Sequence, residues 1–200
     1  MGLYSAKLTA EPFLYPETKV IAEYLLDGYD KLVLKNKNIE ENLIRYKSPK
    51  SIVRVNSPIF RRLDVLNNDM LYEFVNGDIQ TSKLILLYAI MKTDNLVNDF
   101  MFEIYKDKAL LGKKYIEQIE VDDWFQSKLL SDRSLNEKTD STKSKLKQVL
   151  MKILNDSGIV TKEKNRFIIN KIIIKNNFKE LFKNNDEKYI KVFGGFLWEI

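Results

Sequence analysis

The chain has no cysteine and no histidine in its 200 residues. Disulfides, thiol nucleophiles, zinc sites of the usual kind, imidazole acid–base catalysis and every Ser-His-Asp arrangement are thereby excluded. Any catalysis would fall to carboxylates, lysine, tyrosine or a carboxylate-held metal. Glycine (7) and proline (4) are scarce, and 44% of the residues are apolar, which describes an ordered globular chain. Long apolar runs are missing too. The longest uncharged one, Leu84–Met91, falls far short of the roughly 20 residues a membrane helix needs. The opening "MGLYSAKLTAEPF" lacks a basic region followed by an apolar one, so no signal peptide is expected. These absences predict a cytoplasmic protein with no membrane partner, made of one domain or two small ones.

What is present is charge of one sign, locally. The net charge of +5 understates the pattern. Between Arg45 and Arg62 there are six basic residues and no acidic one, and Lys138–Lys191 holds fourteen basic against six acidic. In "SPKSIVRVNSPIFRRLDVL" (Ser48–Leu66), Ile52, Val55, Ile59, Leu63 and Leu66 share one side at helical spacing. Lys50, Arg54, Ser57 and Arg61 gather on the other, and Arg62, which ends the basic run, is counted with them as a candidate contact. Ser48-Pro49 is a good helix start. Ser57-Pro58 is either a second start or a kink, because the apolar stripe stays in phase across it. Ordinary solvated faces mix signs, so a purely basic one points to a polyanion or an acidic partner.

The rest of the chain reads mostly as helix: Glu17–Asp27, Asp30–Lys35, Ile39–Tyr46, Asn68–Asn76, Thr81–Lys92, Asp94–Lys106 and Val121–Leu130. Thr81–Lys92 is apolar on nearly all sides and belongs in the core. Ser131–Thr142, "SDRSLNEKTDST", is polar without apolar periodicity and reads as a linker. It separates an N-terminal helical domain, 1–131, from a C-terminal domain, 140–200.

That second domain carries the clearest strand signal. A helix from about Thr142 ends at Gly158; "IVT" reads as a strand, "KEKN" as a polar turn and "RFIINKIII" as a strand rich in β-branched residues. Helical "NNFKELFKNN" and a last segment, "DEKYIKVFGGFLWEI", follow. A helix running into a basic-tipped hairpin is the plan of a winged helix-turn-helix. Leu146, Val149, Leu150, Ile153 and Leu154 form the packed arc. Lys145, Gln148, Lys152 and Asn155 face outward, lysines suited to phosphates and amides to adenine edges. Lys162, Lys164 and Arg166 at the hairpin form the phosphate-contacting wing. The fold class is therefore mainly α, a helical bundle with helix-turn-helix-like segments and a small C-terminal β-hairpin wing.

Acidic groupings carry less. Asp99 and Glu103 stand at i, i+4 and could hold a metal, but no distant carboxylate matches them, and a solvated helix face is the better reading. "FGGF" lacks the lysine and following helix of a phosphate loop. No cofactor is expected.

Three blocks, in order, resemble the BrxA proteins, small components of BREX phage-resistance systems. They are "SAKLTAEPFLYPETKVIAEYLLDG", "NLIRYKSPKSIVRVNSPIFRRLDVL" and "STKSKLKQVLMKILNDSGIV". The resemblance spans nearly the full length. It implies an all-helical, DNA-binding protein with helix-turn-helix-like parts and a small wing, acting beside other BREX proteins. The family's partial similarity to a helical antitermination factor keeps RNA in view. The Ser57-Pro58 step departs from the unbroken helix the resemblance implies.

The reading is a non-enzymatic DNA-binding accessory protein. One surface is Lys145, Gln148, Lys152, Lys162, Lys164 and Arg166, and a second is Lys50, Arg54, Arg61 and Arg62. The alternative is a scaffolding subunit whose basic faces dock an acidic partner or RNA.

Overall fold

Side chains that cap helix ends set much of the architecture. In the computed structural model, which describes residues 3–173, 176–182 and 186–193, the chain divides into two units. One is Ala10–Thr93. The other joins Met1–Thr9 to Asp94–Ile200.

The Ala10–Thr93 unit is built from α1 (Tyr15–Leu26), α2 (Lys31–Glu41), α3 (Pro49–Leu63), α4 (Asn68–Asn76) and α5 (Ile79–Thr93). The Asp30 carboxylate accepts the amides of Leu32 and Val33 at 2.9 and 3.0 Å and starts α2, because the first amides of a helix have no intrahelical partner. The sequence reading broke this region into two short helices ending at Tyr46. Instead, α2 runs unbroken to Glu41 and stops at Asn42, which takes a left-handed φ of 57°. The Asn42 side chain then accepts the Tyr46 amide and donates to the Tyr46 carbonyl, both at 2.7 Å. Such local bonding is how asparagine replaces helix with turn. α3 is a single helix across Pro58, the unbroken form that the resemblance implies. α5 is buried from Leu84 through Met91 and forms the centre of this unit, as its all-round apolar pattern predicts.

In the second unit α6 (Asn95–Phe100) passes through a π-helical turn, Met101–Tyr105, into α7 (Lys106–Leu110). Then come β1 (Tyr115–Glu117), α8 (Gln118–Ser131), α9 (Arg133–Asn136), α10 (Asp140–Ser157), β2 (Val160–Glu163), β3 (Arg166–Ile169), α11 (Asn176–Glu180) and α12 (Glu187–Val192). The strands form one antiparallel sheet in the order β1-β3-β2, with Ile116 opposite Phe167 and Lys162 opposite Phe167 on its other side. A helix, a strand, three further helices and a hairpin in this order, with the first strand added to the hairpin's edge, make the unit winged-helix-like. β3 ends at Ile169, short of the predicted strand through Ile174. Asn170 turns the chain by donating its side-chain amide to the Gly158 carbonyl at 2.8 Å. Ile174, Trp198 and most of "FGGF" lie outside the described residues.

The division falls at Thr93–Asp94, not within Ser131–Thr142. Two contacts explain why the polar stretch is no linker. Asp132 is buried, accepts the Leu135 amide at 3.1 Å and so starts α9, whose Leu135 is fully buried. Asp132 also accepts the Tyr4 amide at 2.9 Å, while the Tyr4 hydroxyl donates to Asp99 at 2.7 Å. The first residues are thereby held to the C-terminal part of the chain.

Candidate nucleic-acid interface

α10 begins two residues earlier than its apolar periodicity predicts. Thr139 caps it by accepting the Thr142 amide at 3.2 Å, and it ends at Gly158 with φ 85°, a conformation glycine adopts without strain. Leu146, Val149, Leu150, Ile153 and Leu154 are buried, as predicted. Lys145, Gln148 and Lys152 are exposed on the other side. The Lys145 ammonium donates to the Gln148 carbonyl oxygen at 3.2 Å, and Lys152 pairs with Asp156 at 3.1 Å, one turn on. That pair is solvent-exposed and worth little, so Lys152 can exchange its partner.

Asn155 behaves differently from its neighbours. Its carbonyl oxygen accepts the backbone amide of Lys162 at 3.0 Å, which ties α10 to β2. On the other side of the hairpin, the Gln118 amide donates to the Asn165 carbonyl at 2.9 Å. The wing is thus held by α10 at one strand and by the start of α8 at its turn. Lys162 and Lys164 are exposed, and no acidic partner engages either among the described residues. Lys164 occupies the turn with a φ of 48°.

Arg166 is not a tip residue. It opens β3 between Glu163 and Glu117, its paired residues on the neighbouring strands. Its guanidinium donates to Glu163 at 2.6 and 2.8 Å and lies 5.1 Å from the centre of the Tyr115 ring. The hydrogen bond and charge of Glu163 push its pKa up further. The pair is solvent-exposed, but Arg166 has a carboxylate partner where Lys162 and Lys164 have none among the described residues, which makes it the weakest wing candidate.

On α3 the four predicted residues divide sharply. Lys50 and Arg54 are exposed, with no ion pair among the described residues. Arg61 is half-buried and paired with Glu11. Arg62 is 1% exposed. Its guanidinium donates to the carbonyls of Pro12, Phe13 and Glu11 at 2.8, 3.1 and 3.0 Å. Arg62 therefore leaves the candidate surface, because the group that would meet a phosphate fastens Glu11–Phe13 inside the unit. A planar five-donor fork is suited to that task.

The carboxylates considered for a metal are occupied by neighbours. Asp99 accepts from Tyr4, and Glu103 accepts the Trp124 indole at 2.7 Å and the Lys128 ammonium at 2.6 Å. No cluster of three or more potential metal ligands occurs among the described residues. Nor is any described helix long and apolar enough to cross a membrane.

Beside the exposed face of α10 lies a groove of about 380 Å³. Its walls are α10, the start of α8 and the wing. Sequence reasoning found Gln148, Lys152 and Lys162 of its lining but missed Gln118, Met151 and Phe167. Met151 shares α10 with Gln148 and Lys152 and Phe167 comes with the hairpin, whereas Gln118 reaches them only when β1 joins that hairpin, and a strand of three residues leaves no periodicity to read.

A winged-helix-like module bearing a basic helix face is the class this geometry defines. The comparisons make it particular. The sequence model of the BrxA family matches residues 2–186, and the chain belongs to that family. The BREX protein BrxA of Bacillus cereus strain H3081.97 is 31% identical over 162 residues, 81% of each chain. The BREX protein BrxA of Escherichia coli O9:H4 strain HS is 25% identical, over 80% of this chain and 75% of its own. A crystal structure of an uncharacterized protein from Magnetospirillum magneticum superposes with a TM-score of 0.77 at 22% identity, covering 95% of this chain and 97% of that one. It supports the fold. Its curated relatives are BREX proteins, and membership in the BrxA family supports an accessory role in a BREX system.

Proposed function

We propose that the protein binds duplex DNA through α10 and the wing, as its contribution to the BREX assembly. The observation that carries the reading is one-sidedness: α10 is buried along one face and presents Lys145, Gln148 and Lys152 to solvent on the other. The hairpin fastened to that helix adds Lys162 and Lys164. Lysines at a helix and wing hold phosphates, while the Gln148 amide has the donor and acceptor that match an adenine edge in the major groove. Lys50 and Arg54 on α3 provide a second cationic surface, and Arg61 is held out of it by the buried Glu11 carboxylate.

Phosphate neutralisation releases counterions, so binding should weaken steeply with salt. With about four to five phosphates engaged, log K should fall with log [salt] at a slope of about −4. Lys145→Ala with Lys152→Ala should flatten that slope by about 2, and Lys50→Ala with Arg54→Ala by a similar amount. An absence of any mobility shift at micromolar protein and low salt would sink the reading.

A protein-docking role has one observation of its own. In the Ala10–Thr93 unit, Leu32 and Val33 on α2 are 72% and 58% exposed, and Tyr29 beside them is exposed as well. Apolar side chains grouped on one surface favour a protein partner, and family membership supports other BREX proteins in that place. This surface and the DNA-contacting one are separate residues, so the two roles are compatible.

A further inference from the structure

We infer that the groove between α10 and the wing is a subsite for one unpaired nucleotide of a nucleic-acid strand. The inference deepens the DNA-binding reading and rests on it. The groove is small, near the low end of the ~300–1,000 Å³ typical of ligand clefts, at about 380 Å³. That is room for one nucleotide, and not for two paired nucleotides with their backbones.

Its chemistry suits that occupant. The floor is apolar, made of Met151 and Phe167, whose outer edges are all that reach the groove, at 5% and 3% exposure. Two primary amides flank it, one from each wall. Gln118 donates its NH₂ to Asp122 at 3.0 Å, an acceptor shared with the Lys147 ammonium on the α10 wall, and its own carbonyl oxygen accepts no hydrogen bond among the described residues. Gln148 is arranged the opposite way: its oxygen accepts from Lys145, and its NH₂ remains to donate. The groove therefore offers one acceptor and one donor. Every base carries donor and acceptor groups on its rim, so an amide on each wall can meet one of them whatever the base. In a duplex the pairing edge is already taken by the complementary base, and only an unpaired base leaves it open.

Lys162, on the wing side of the same groove, supplies the charge for the phosphate. Lys152 adds a second cation when it releases Asp156. A strand lying along α10 can thus place one base in the groove while the flanking phosphates meet Lys145 and Lys164. The consequence is a preference for duplexes that end in, or open into, a single strand.

The test compares a blunt DNA duplex with the same duplex carrying a short single-stranded overhang, and with one whose overhang is abasic. Apolar and hydrogen-bonding contacts of one base are expected to tighten the overhang complex about 10-fold over the blunt one. The abasic overhang should lose the gain, because it keeps the phosphates and lacks the base. Gln118→Ala should also lose the gain while binding the blunt duplex like the parent. In a second measurement, deoxyadenosine monophosphate added to the isotope-labelled protein should shift the side-chain amide signals of Gln118 and Gln148. Blunt and overhang duplexes that bind equally well would overturn the subsite and leave duplex binding standing. A gain that survives in the abasic probe or in Gln118→Ala, or side-chain amides that ignore the nucleotide, would overturn it as well. Failure of every DNA to bind would remove both the subsite and the DNA-binding reading.

Discussion

The carbonyl oxygen of the Asn155 side chain accepts the backbone amide of Lys162 at 3.0 Å and so bonds α10 directly to the wing. By its place on the helix Asn155 belongs to the outward row with Gln148, and its amide chemistry suits an adenine edge equally well. The wing has claimed it. A hydrogen bond of this kind contributes ~0.5–1.5 kcal/mol. Asn155→Ala should cost that much in urea unfolding and should speed hydrogen exchange at the Lys162 amide. Sequence preference in DNA binding should persist in the variant. A changed preference with unaltered exchange at Lys162 would return Asn155 to the base-reading set.

Two arginines of α3, eight residues apart, should respond in different ways. Arg54 is exposed, and Arg54→Ala should alter stability by less than about 0.5 kcal/mol while weakening DNA binding. Arg62→Ala leaves three inward carbonyls without their donor, and a buried unpaired group costs ~1–3 kcal/mol. The urea midpoint should fall by an amount well beyond that of Arg54→Ala. Arg62→Lys should fail to restore it, since a single ammonium cannot reproduce the guanidinium fork. Arg62 variants that unfold like the parent would disprove the anchoring role.

That contrast also marks what the sequence could tell. The buried stripe of α3 and the two-sided character of α10 are legible, because helix periodicity and burial share the same 3.6-residue repeat. Arg62 was read by its charge, although its position argues otherwise. It lies three residues after Ile59 and four before Leu66, on the apolar seam itself, and an arginine there has to be buried or has to interrupt the seam. Asn38 and Asn56 repeat the lesson. Both are buried, and the Asn38 side chain donates to Asn56 at 2.9 Å between α2 and α3, a pairing visible only once the two helices meet. β1 is illegible for a different reason: it owes its existence to β3, some fifty residues later, and three residues carry too little pattern. The division at Thr93–Asp94 is hidden because it coincides with an ordinary helix cap, Asp94 accepting the amides of Leu96 and Val97 at 3.0 and 3.1 Å. Polar composition drew attention to Ser131–Thr142 instead, where the polar residues are caps.

Asp132 gives a prediction in pH. The Tyr4 amide hydrogen bond, with that of Leu135, holds its carboxyl below the ordinary aspartate range, against the opposing effect of its burial. A carboxylate whose pKa is lower folded than unfolded contributes stability in full above the unfolded value of about 3.9. That contribution disappears as pH falls through the lower folded value. Asp132→Asn cannot titrate. Its stability should be below the parent's at neutral pH, and the difference should shrink steadily below about pH 4. Urea midpoints of the two proteins across this range are the measurement. Parallel curves would show that the carboxylate charge does not hold Tyr4.

The turn of the wing separates stability from binding. Lys164 has a φ of 48°, a backbone region in which residues with a Cβ are strained and glycine is at ease. Lys164→Gly should relieve that strain and raise stability by up to about 1 kcal/mol, the relief of ~1–2 kcal/mol being partly offset by the greater freedom of glycine when unfolded. The same change removes a cation from the part of the wing that would meet a phosphate. Affinity for every DNA sequence should therefore fall together, and the salt slope should flatten by about 1. Opposite signs make the pair of measurements decisive. Loss of binding through collapse of the hairpin would come with a lower unfolding midpoint. Loss of binding beside a raised midpoint can only come from the missing charge. Unchanged affinity and slope in a stabilised variant would mean that the hairpin braces α10 and touches no phosphate.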